Sequence, residues 1–379
     1  MFASADGRVL LTWLEPAGGA AYALRLAERR AGTWSAPRTV VTSERLFVNW
    51  ADFPSVVETS DGTWLVHWLE KVAAAPYAYH VMAARSRDRG ATWERPFRVH
   101  EDDSPTEHGF VTLVPLELGR TAAIWLDGRA MAVVDGDSGA DGHERIRGAM
   151  TVRIRAVAPD GGLDAETLLD DRTCECCQTA LARTASGLVA AYRDRSDDEV
   201  RDVVVTSYRQ GVWSDPMALG GQGWRIAACP VNGPSLDATG DTVIATWFTA
   251  AGDLPRVYAA FSSDGGATFG DPIPIDDGHP VGRVDAELLD DGTALVVWLE
   301  RGPRATEVRG RVIAIDGSRA GSWLVTRSSE ARAAGFPRVA RAGDQVIFAW
   351  TETGPAGGVR VAAALLPRAL SSKTPGDGP

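Results

Sequence analysis

Val66-His67-Trp68-Leu69-Glu70 is a phrase that the rest of the chain repeats. A few apolar residues, an aromatic, then an acid or polar residue return as Leu11-Thr12-Trp13-Leu14-Glu15, Ala123-Ile124-Trp125-Leu126-Asp127 and Ala190-Ala191-Tyr192-Arg193-Asp194. Three more copies are Ala245-Thr246-Trp247-Phe248-Thr249, Val296-Val297-Trp298-Leu299-Glu300 and Phe348-Ala349-Trp350-Thr351-Glu352. From one aromatic to the next the steps are 55, 57, 67, 55, 51 and 52 residues. Seven copies at so even a step mark a repeat architecture.

Each copy holds the same pieces in the same order. A short apolar segment such as Phe53-Pro54-Ser55-Val56-Val57 comes first, then a turn such as Ser60-Asp61-Gly62-Thr63 or Asp290-Asp291-Gly292-Thr293. Asp-Gly between apolar runs is a hairpin signal, because glycine supplies the positive φ that a tight turn needs. The aromatic strand follows, then a third such as Tyr79-His80-Val81-Met82-Ala83-Ala84, and a fourth near Trp93, Trp213 or Phe269. Four short strands per step and no helical period predict an all-β chain, a β-propeller of four-stranded blades. Seven blades are expected, with a six-bladed ring as the alternative. The domain is expected over 1–368, with 369–379 a disordered tail rich in Ser, Pro and Gly.

The first blade lacks most of its first strand before Trp13, and the seventh shows no fourth strand after Leu365-Leu366. The expectation is an upstream segment that completes the ring and carries an export signal, placing the protein in the periplasm or outside the cell. No apolar run is long enough to span a membrane. The net charge of −11, without a basic run, argues against nucleic acid as a partner. Only Lys71 and Lys373 are lysines. Arginine binds carboxylates and sulfates bidentately, which lysine does not.

Two copies carry a sharper signature between the third and fourth strands: Ser86-Arg87-Asp88-Arg89-Gly90-Ala91-Thr92-Trp93 and Ser262-Ser263-Asp264-Gly265-Gly266-Ala267-Thr268-Phe269. Both match the Asp-box, S-x-D-x-G-x-T-[W/F], and the chain resembles the sialidase superfamily over nearly its whole length. The motif is structural: the aspartate satisfies backbone N–H groups of the turn and the aromatic plugs the layer between blades.

In a propeller the first strand of each blade lines the channel, and its start shares a rim with the end of the second strand. That nominates Asp52, His108, Cys176, Cys177, Cys229, Asn232, Arg283 and Arg338 from first-strand starts. From second-strand ends it nominates Glu15, Glu70, Asp127, Arg129, Arg193, Asp194, Arg195, Glu300 and Glu352. Blade four departs furthest from its siblings, with Tyr192 in place of tryptophan and arginines where other blades have acids.

All four cysteines lie in two rim loops, Cys174-Glu175-Cys176-Cys177 and the run opening at Cys229. Three readings stand side by side. The thiols are disulfides stapling blade four to blade five. They are ligands of Zn or Cu, with His108 completing the set. Or one is a reactive thiol activated by nearby arginines. Cys176 and Cys177 are expected on opposite sides of a strand. A weaker calcium candidate is the acidic loop with Asp135, Asp137 and Asp141.

The resemblance implies an exo-sialidase site, with three arginines on the sugar carboxylate, a tyrosine activated by a glutamate, and an aspartate acid/base. Arg129, Arg193, Arg195, Arg283 and Arg338 are the guanidinium candidates, with Asn232 a further binding residue. Tyr192, Asp52, Asp127 and Asp194 are the catalytic candidates. Seven repeats depart from the six blades of sialidases. The expected function is therefore binding or hydrolysis of an anionic glycan at the rim of blades three to five. The alternative is a non-catalytic exported propeller whose cysteine-rich rim binds Cu, Zn or a protein partner.

Overall fold

The computed structural model of the chain describes residues 1–138, 144–354 and 358–365, with side chains described outside 132–147. The side chains of the calcium-loop candidates Asp135 and Asp137, the whole of Asp141 and the tail 369–379 fall outside what is described.

Seven antiparallel sheets stand around one ring, so the seven-bladed expectation holds and the six-bladed one falls. Blade one runs Phe2–Ala3, Val9–Pro16 and Tyr22–Arg30, with its outer edge shared by Thr33–Trp34 and Arg38–Ser43. Blade two runs Ser55–Glu58, Trp64–Lys71, Tyr79–Ser86 and Phe97–Arg98. Blade three runs His108–Pro115, Thr121–Asp127, Met150–Val157 and Thr167–Thr173, with the hairpin Ala132–Ser138/Glu144–Arg147 inserted. Blade four runs Ala180–Arg183, Gly187–Arg193 and Val203–Arg209, edged by Val212–Trp213 and Met217–Ala218. Blade five runs Ser235–Thr239, Thr242–Thr249, Arg256–Ser262 and Ile273–Pro274, and blade six Pro280–Leu288, Ala294–Arg301, Thr306–Ile313 and Trp323–Ser328. Blade seven has three strands among the described residues, Arg338–Ala342, Gln345–Glu352 and Gly358–Leu365. Phe2–Ala3, the short first strand of blade one, touches the inner strands of blades two and seven and closes the ring.

The blades hold together through apolar layers between neighbours. Trp68, Trp125, Trp247 and Trp298 are almost wholly buried there. Truncating a buried tryptophan to alanine costs about 3–5 kcal/mol, so the repeat is first of all a packing device. The acid two residues on has a physical reason too. Residues i and i+2 share one face of a strand. Trp13, Trp125 and Trp298 accordingly donate their indole N–H to Glu15, Asp127 and Glu300 at 2.9, 2.8 and 2.6 Å. Most of the rim acids are partners of a tryptophan before they are anything else.

The two turns at Asp88 and Asp264 fold alike. Asp88 accepts from the Thr92 backbone N–H at 2.8 Å and its hydroxyl at 2.6 Å; Asp264 accepts from Thr268 at 2.9 and 2.6 Å. Gly90 sits at φ +77, where an added Cβ would press within 3.0 Å of the Trp64 ring. Both turns lie away from the rim residues described next.

Candidate functional site

The cysteine loops meet as the sequence spacing suggests, but by a turn. Cys174 to Cys177 leave the outer strand of blade three in a tight turn before blade four begins at Ala180. Cys176 and Cys177 are therefore not on opposite sides of a strand. The turn gathers three sulfurs, with Cys174 Sγ 3.7 Å from Cys176 Sγ and 3.2 Å from Cys177 Sγ. Cys229, on the loop before blade five, lies beside Cys176. All four thiols are free. Hydrogen bonds from Cys176 and Cys177 hold Cys174 well below the ordinary thiol range, whereas the same contacts push Cys176 up. Cys174 is thus more acidic than Cys176 and Cys177. The Arg201 guanidinium lies 3.5 Å from its sulfur and 2.9 Å from Glu175 Oε2.

Two side chains press the cysteine loops together. Gln178 donates to Ala51 O at 2.6 Å and accepts from Gly233 N at 3.0 Å; a Cβ on Gly233 would collide with the Gln178 backbone. Arg193 is buried, stacks on Trp224 at 4.9 Å, and donates to the carbonyls of Arg201, Asn232 and Phe248 at 2.6, 2.7 and 2.8 Å.

The other arginine candidates are also engaged. Arg129 pairs with Asp127 and Glu166 at 2.6 and 2.9 Å. Arg195 pairs with Glu199 at 2.6 Å and with Glu175. Arg283 lies over Trp50 at 4.7 Å and donates to the carbonyls of Glu330, Ala331 and Gly335 at 3.0, 3.2 and 2.9 Å; burial lowers it to about 10. Asn232 accepts from Arg283 N at 2.7 Å and donates to Pro230 O and Val281 O at 3.2 and 3.3 Å. Only Arg338 of these arginines lines the central cavity, 3.2 Å from Asp285.

That cavity has a volume of about 310 Å³ and is lined by Asp52, Gln178, Asp237, Asp285, Glu287 and Arg338 among others. Small-molecule sites begin at about this size. Its acids are unusual. Burial raises Asp52 well above the carboxylate range, lifts Asp237 to about 6, and raises Glu287 well above its ordinary value. Asp52 Oδ2 accepts from Phe110 N at 2.8 Å, and Oδ1 is buried without a partner. At Gly109 a Cβ would collide with Asp52 Oδ2 and stand 3.0 Å from the Tyr79 ring. Tyr79, stacked on Phe47 at 4.0 Å, donates to Glu107 at 2.5 Å. Burial pushes Glu107 up to about 7, and burial with the nearby acids raises the Tyr79 phenol.

The remaining catalytic candidates do not join this group. Burial would raise Asp127, but Arg129, His108 and Trp125 hold it below the carboxylate range. Tyr192 is buried and donates to Asp170 at 2.9 Å, and burial raises its phenol. Asp194, relieved of any indole, is lifted by burial to about 6 and accepts from Arg195 N at 2.6 Å. His108 lies with His80 and His100 rather than with the sulfurs. Tyr79, Glu107, His80 and His100 went unnominated because they sit at third-strand starts and in crossings, outside the two rim positions considered. The pair Tyr79-His80 opening a third strand was the signal available.

Neither a protein-family model nor a curated protein matches the sequence. Solved structures do match. An ulvan lyase from a polysaccharide-lyase family aligns with TM-score 0.57 at 11% identity over 95% of this chain and 90% of that one. An α-L-arabinofuranosidase of Fusarium graminearum, bound to arabinobiose, aligns with TM-score 0.52 at 15% identity over 83% and 92%. The NanB sialidase of Streptococcus pneumoniae aligns with TM-score 0.50 at 11% identity over 82% and 68%. At such identities the likeness is one of fold, and the chain is a seven-bladed propeller similar in architecture to the sialidase-like propellers.

Proposed function

We propose that the protein binds and cleaves an anionic carbohydrate at the mouth of its central cavity. The observation that carries this reading is the convergence at Gly109 of Asp52 with the Tyr79–Glu107 pair, beside a cavity that also holds Arg338. A carboxyl kept neutral by burial is a proton donor at neutral pH, which departure of a sugar oxygen requires. Asp52 is the acid, and Arg338 receives the sugar carboxylate or sulfate. Three solved propellers of similar fold are a sialidase, an arabinofuranosidase and an ulvan lyase, which favours a carbohydrate over other ligands. Arg338 is the single arginine lining the cavity among the described residues, which makes a three-arginine sialidase clamp the less favoured version.

The test is a panel of sialosides, arabinofuranosides and uronate-containing polysaccharides. At least one is turned over, and Asp52→Asn lowers kcat by about 100-fold or more. Glu107 ionises at about pH 7 and its charge raises Asp52 further, so turnover that uses the Asp52 proton persists as pH rises through 7. A panel neither cleaved nor bound sinks the reading, as does full activity in Asp52→Asn.

The cysteine group favours a second use. Thiolates on one tetrahedral Zn²⁺ stand about 3.8 Å apart, and the Cys174–Cys176 distance of 3.7 Å fits that edge. The donor set suits Zn²⁺ or Cu⁺, with Cys174, Cys176, Cys177 and Cys229 as the ligands. Purified protein holds one such ion, and replacing all four cysteines with serine removes it. Two disulfides in the purified protein would overturn this use without touching the first.

A further inference from the structure

Three imidazoles come together beneath the rim of blades two and three. His80 lies on the third strand of blade two, His100 in the crossing to blade three, and His108 opens the inner strand of blade three. All three are buried. The His100 and His108 rings stack with centroids 3.8 Å apart and planes 3° from parallel; His80 meets them edge-on at 4.8 and 5.4 Å. One nitrogen of each ring lies within 4.8 Å of the other two.

Three ring nitrogens here are buried without a hydrogen-bond partner: His80 Nδ1, His100 Nδ1 and His108 Nε2. Native interiors rarely leave such atoms unpaired, and three in one place call for a cause. His108 gives the clearest case. Its Nδ1 faces the carbonyl oxygens of Tyr79 and Thr106 at 3.2 and 3.1 Å, so Nδ1 carries the proton in the neutral ring. Its Nε2 then presents a lone pair 3.0 Å from Asp102 Oδ2 and 3.7 Å from Asp127 Oδ1. Lone pairs facing each other at that distance need a positive charge between them. A proton would settle the His108 contact and leave the other two rings as they are. A metal ion answers all three.

We infer that His80, His100, His108 and Asp102 form a binding site for a divalent transition-metal ion of the Zn²⁺ class. Neutral imidazoles with one carboxylate suit Zn²⁺, and also Ni²⁺ or Co²⁺ as probes. Burial holds His80 and His100 below the usual imidazole range, which keeps them in the form that ligates. The crossing is fixed from outside, where Arg98 donates to the carbonyls of His100 and Glu101 at 2.9 and 3.1 Å. Two contacts must yield on loading. An ion lies in the plane of each imidazole that ligates it, so the His100 and His108 rings turn out of their parallel stack. Val81 N–H points at His100 Nε2 from 3.3 Å, and an imidazole that ligates through Nδ1 carries its proton on Nε2. The ion ties the third strand of blade two to the inner strand of blade three. The site shares no ligand with the cysteine group and does not depend on the proposed carbohydrate chemistry.

Titration of the chelator-stripped protein with Co²⁺ tests this. Nitrogen and oxygen ligands give d–d bands without thiolate-to-cobalt charge transfer, so the two groups are read separately in one sample. In protein with all four cysteines changed to serine, one equivalent of Co²⁺ still binds, and adding His100→Ala removes it. Asp102→Asn weakens that binding at least tenfold. Should the serine variant fail to fold, His100→Ala in the native background loses one d–d equivalent and keeps any thiolate band. Folded serine variant that takes up no Co²⁺ overturns the site, as does unchanged d–d stoichiometry in His100→Ala.

Discussion

Cys174, Cys176 and Cys177 reach one another through a four-residue turn, whereas His80, His100 and His108 come from two blades and the crossing between them. The cysteine loops are pressed together by groups that water does not reach: Arg193 is buried, and so are the carbonyl contacts it makes. The imidazole crossing is secured by Arg98, whose side chain is partly open to solvent. Local assembly makes the first group visible in the sequence and leaves its two loops to be clamped. Distant assembly hides the second, and the blade framework itself does the placing.

The sharpest way to break that contrast is to remove the two clamps. Arg193→Ala leaves buried carbonyls of Arg201, Asn232 and Phe248 without a donor and opens a cavity beside Trp224. It lowers stability by about 3–5 kcal/mol in urea unfolding. A loss below about 1 kcal/mol would show that the blades, not Arg193, hold the cysteine loops.

Glu107 probes the floor between the two groups. Its carboxyl is raised from 4.5 to about 7, so the folded chain keeps a proton that the unfolded chain releases. Stability attributable to this group is therefore full below about pH 4.5 and is lost as pH climbs through 7. Glu107→Gln cannot ionise, and it loses roughly 2 kcal/mol less than the native protein between pH 5 and 8, allowing for partial exposure. Parallel stability curves would contradict that assignment.

Thiol order separates the members of the cysteine group. Cys229 is exposed and held below the ordinary thiol range by Cys176, while Cys177 is buried and pushed up by burial. Iodoacetamide at pH 7 labels Cys229 at least tenfold faster than Cys177 in metal-free protein, as peptide mapping reads it. Equal rates would mean the turn opens as a unit. The smallest effect belongs to the imidazole side: Arg98→Ala costs about 1 kcal/mol, because water replaces the donors to His100 and Glu101. A cost near that of Arg193→Ala would erase the contrast between the clamps.

Much of the rim was legible. The step between aromatics placed Asp52 and Arg338 in the cavity, and the clustered cysteines placed three sulfurs in one group with Cys229 beside Cys176. The arginines were harder to read. Arg193 and Arg283 reach the rim positions expected of them, yet turn inward onto main-chain carbonyls, and only the neighbouring blades supply those carbonyls. Likewise Glu15, Asp127 and Glu300 read as free rim acids until the indole N–H beside each is seen.

The sequence by itself determined the seven blades, because packing between blades needs one large aromatic per repeat and the turns need glycine and aspartate at fixed places. It determined the Cys174–Cys177 turn because its three cysteines lie within four residues of one another. The tertiary structure alone decided which carboxyls stay protonated and which imidazoles meet. Burial of Asp52 and Glu107, and the approach of His80 to His108, depend on residues separated along the chain but adjacent across the ring. Desolvation and proximity are properties of that ring, and no spacing along one strand encodes them.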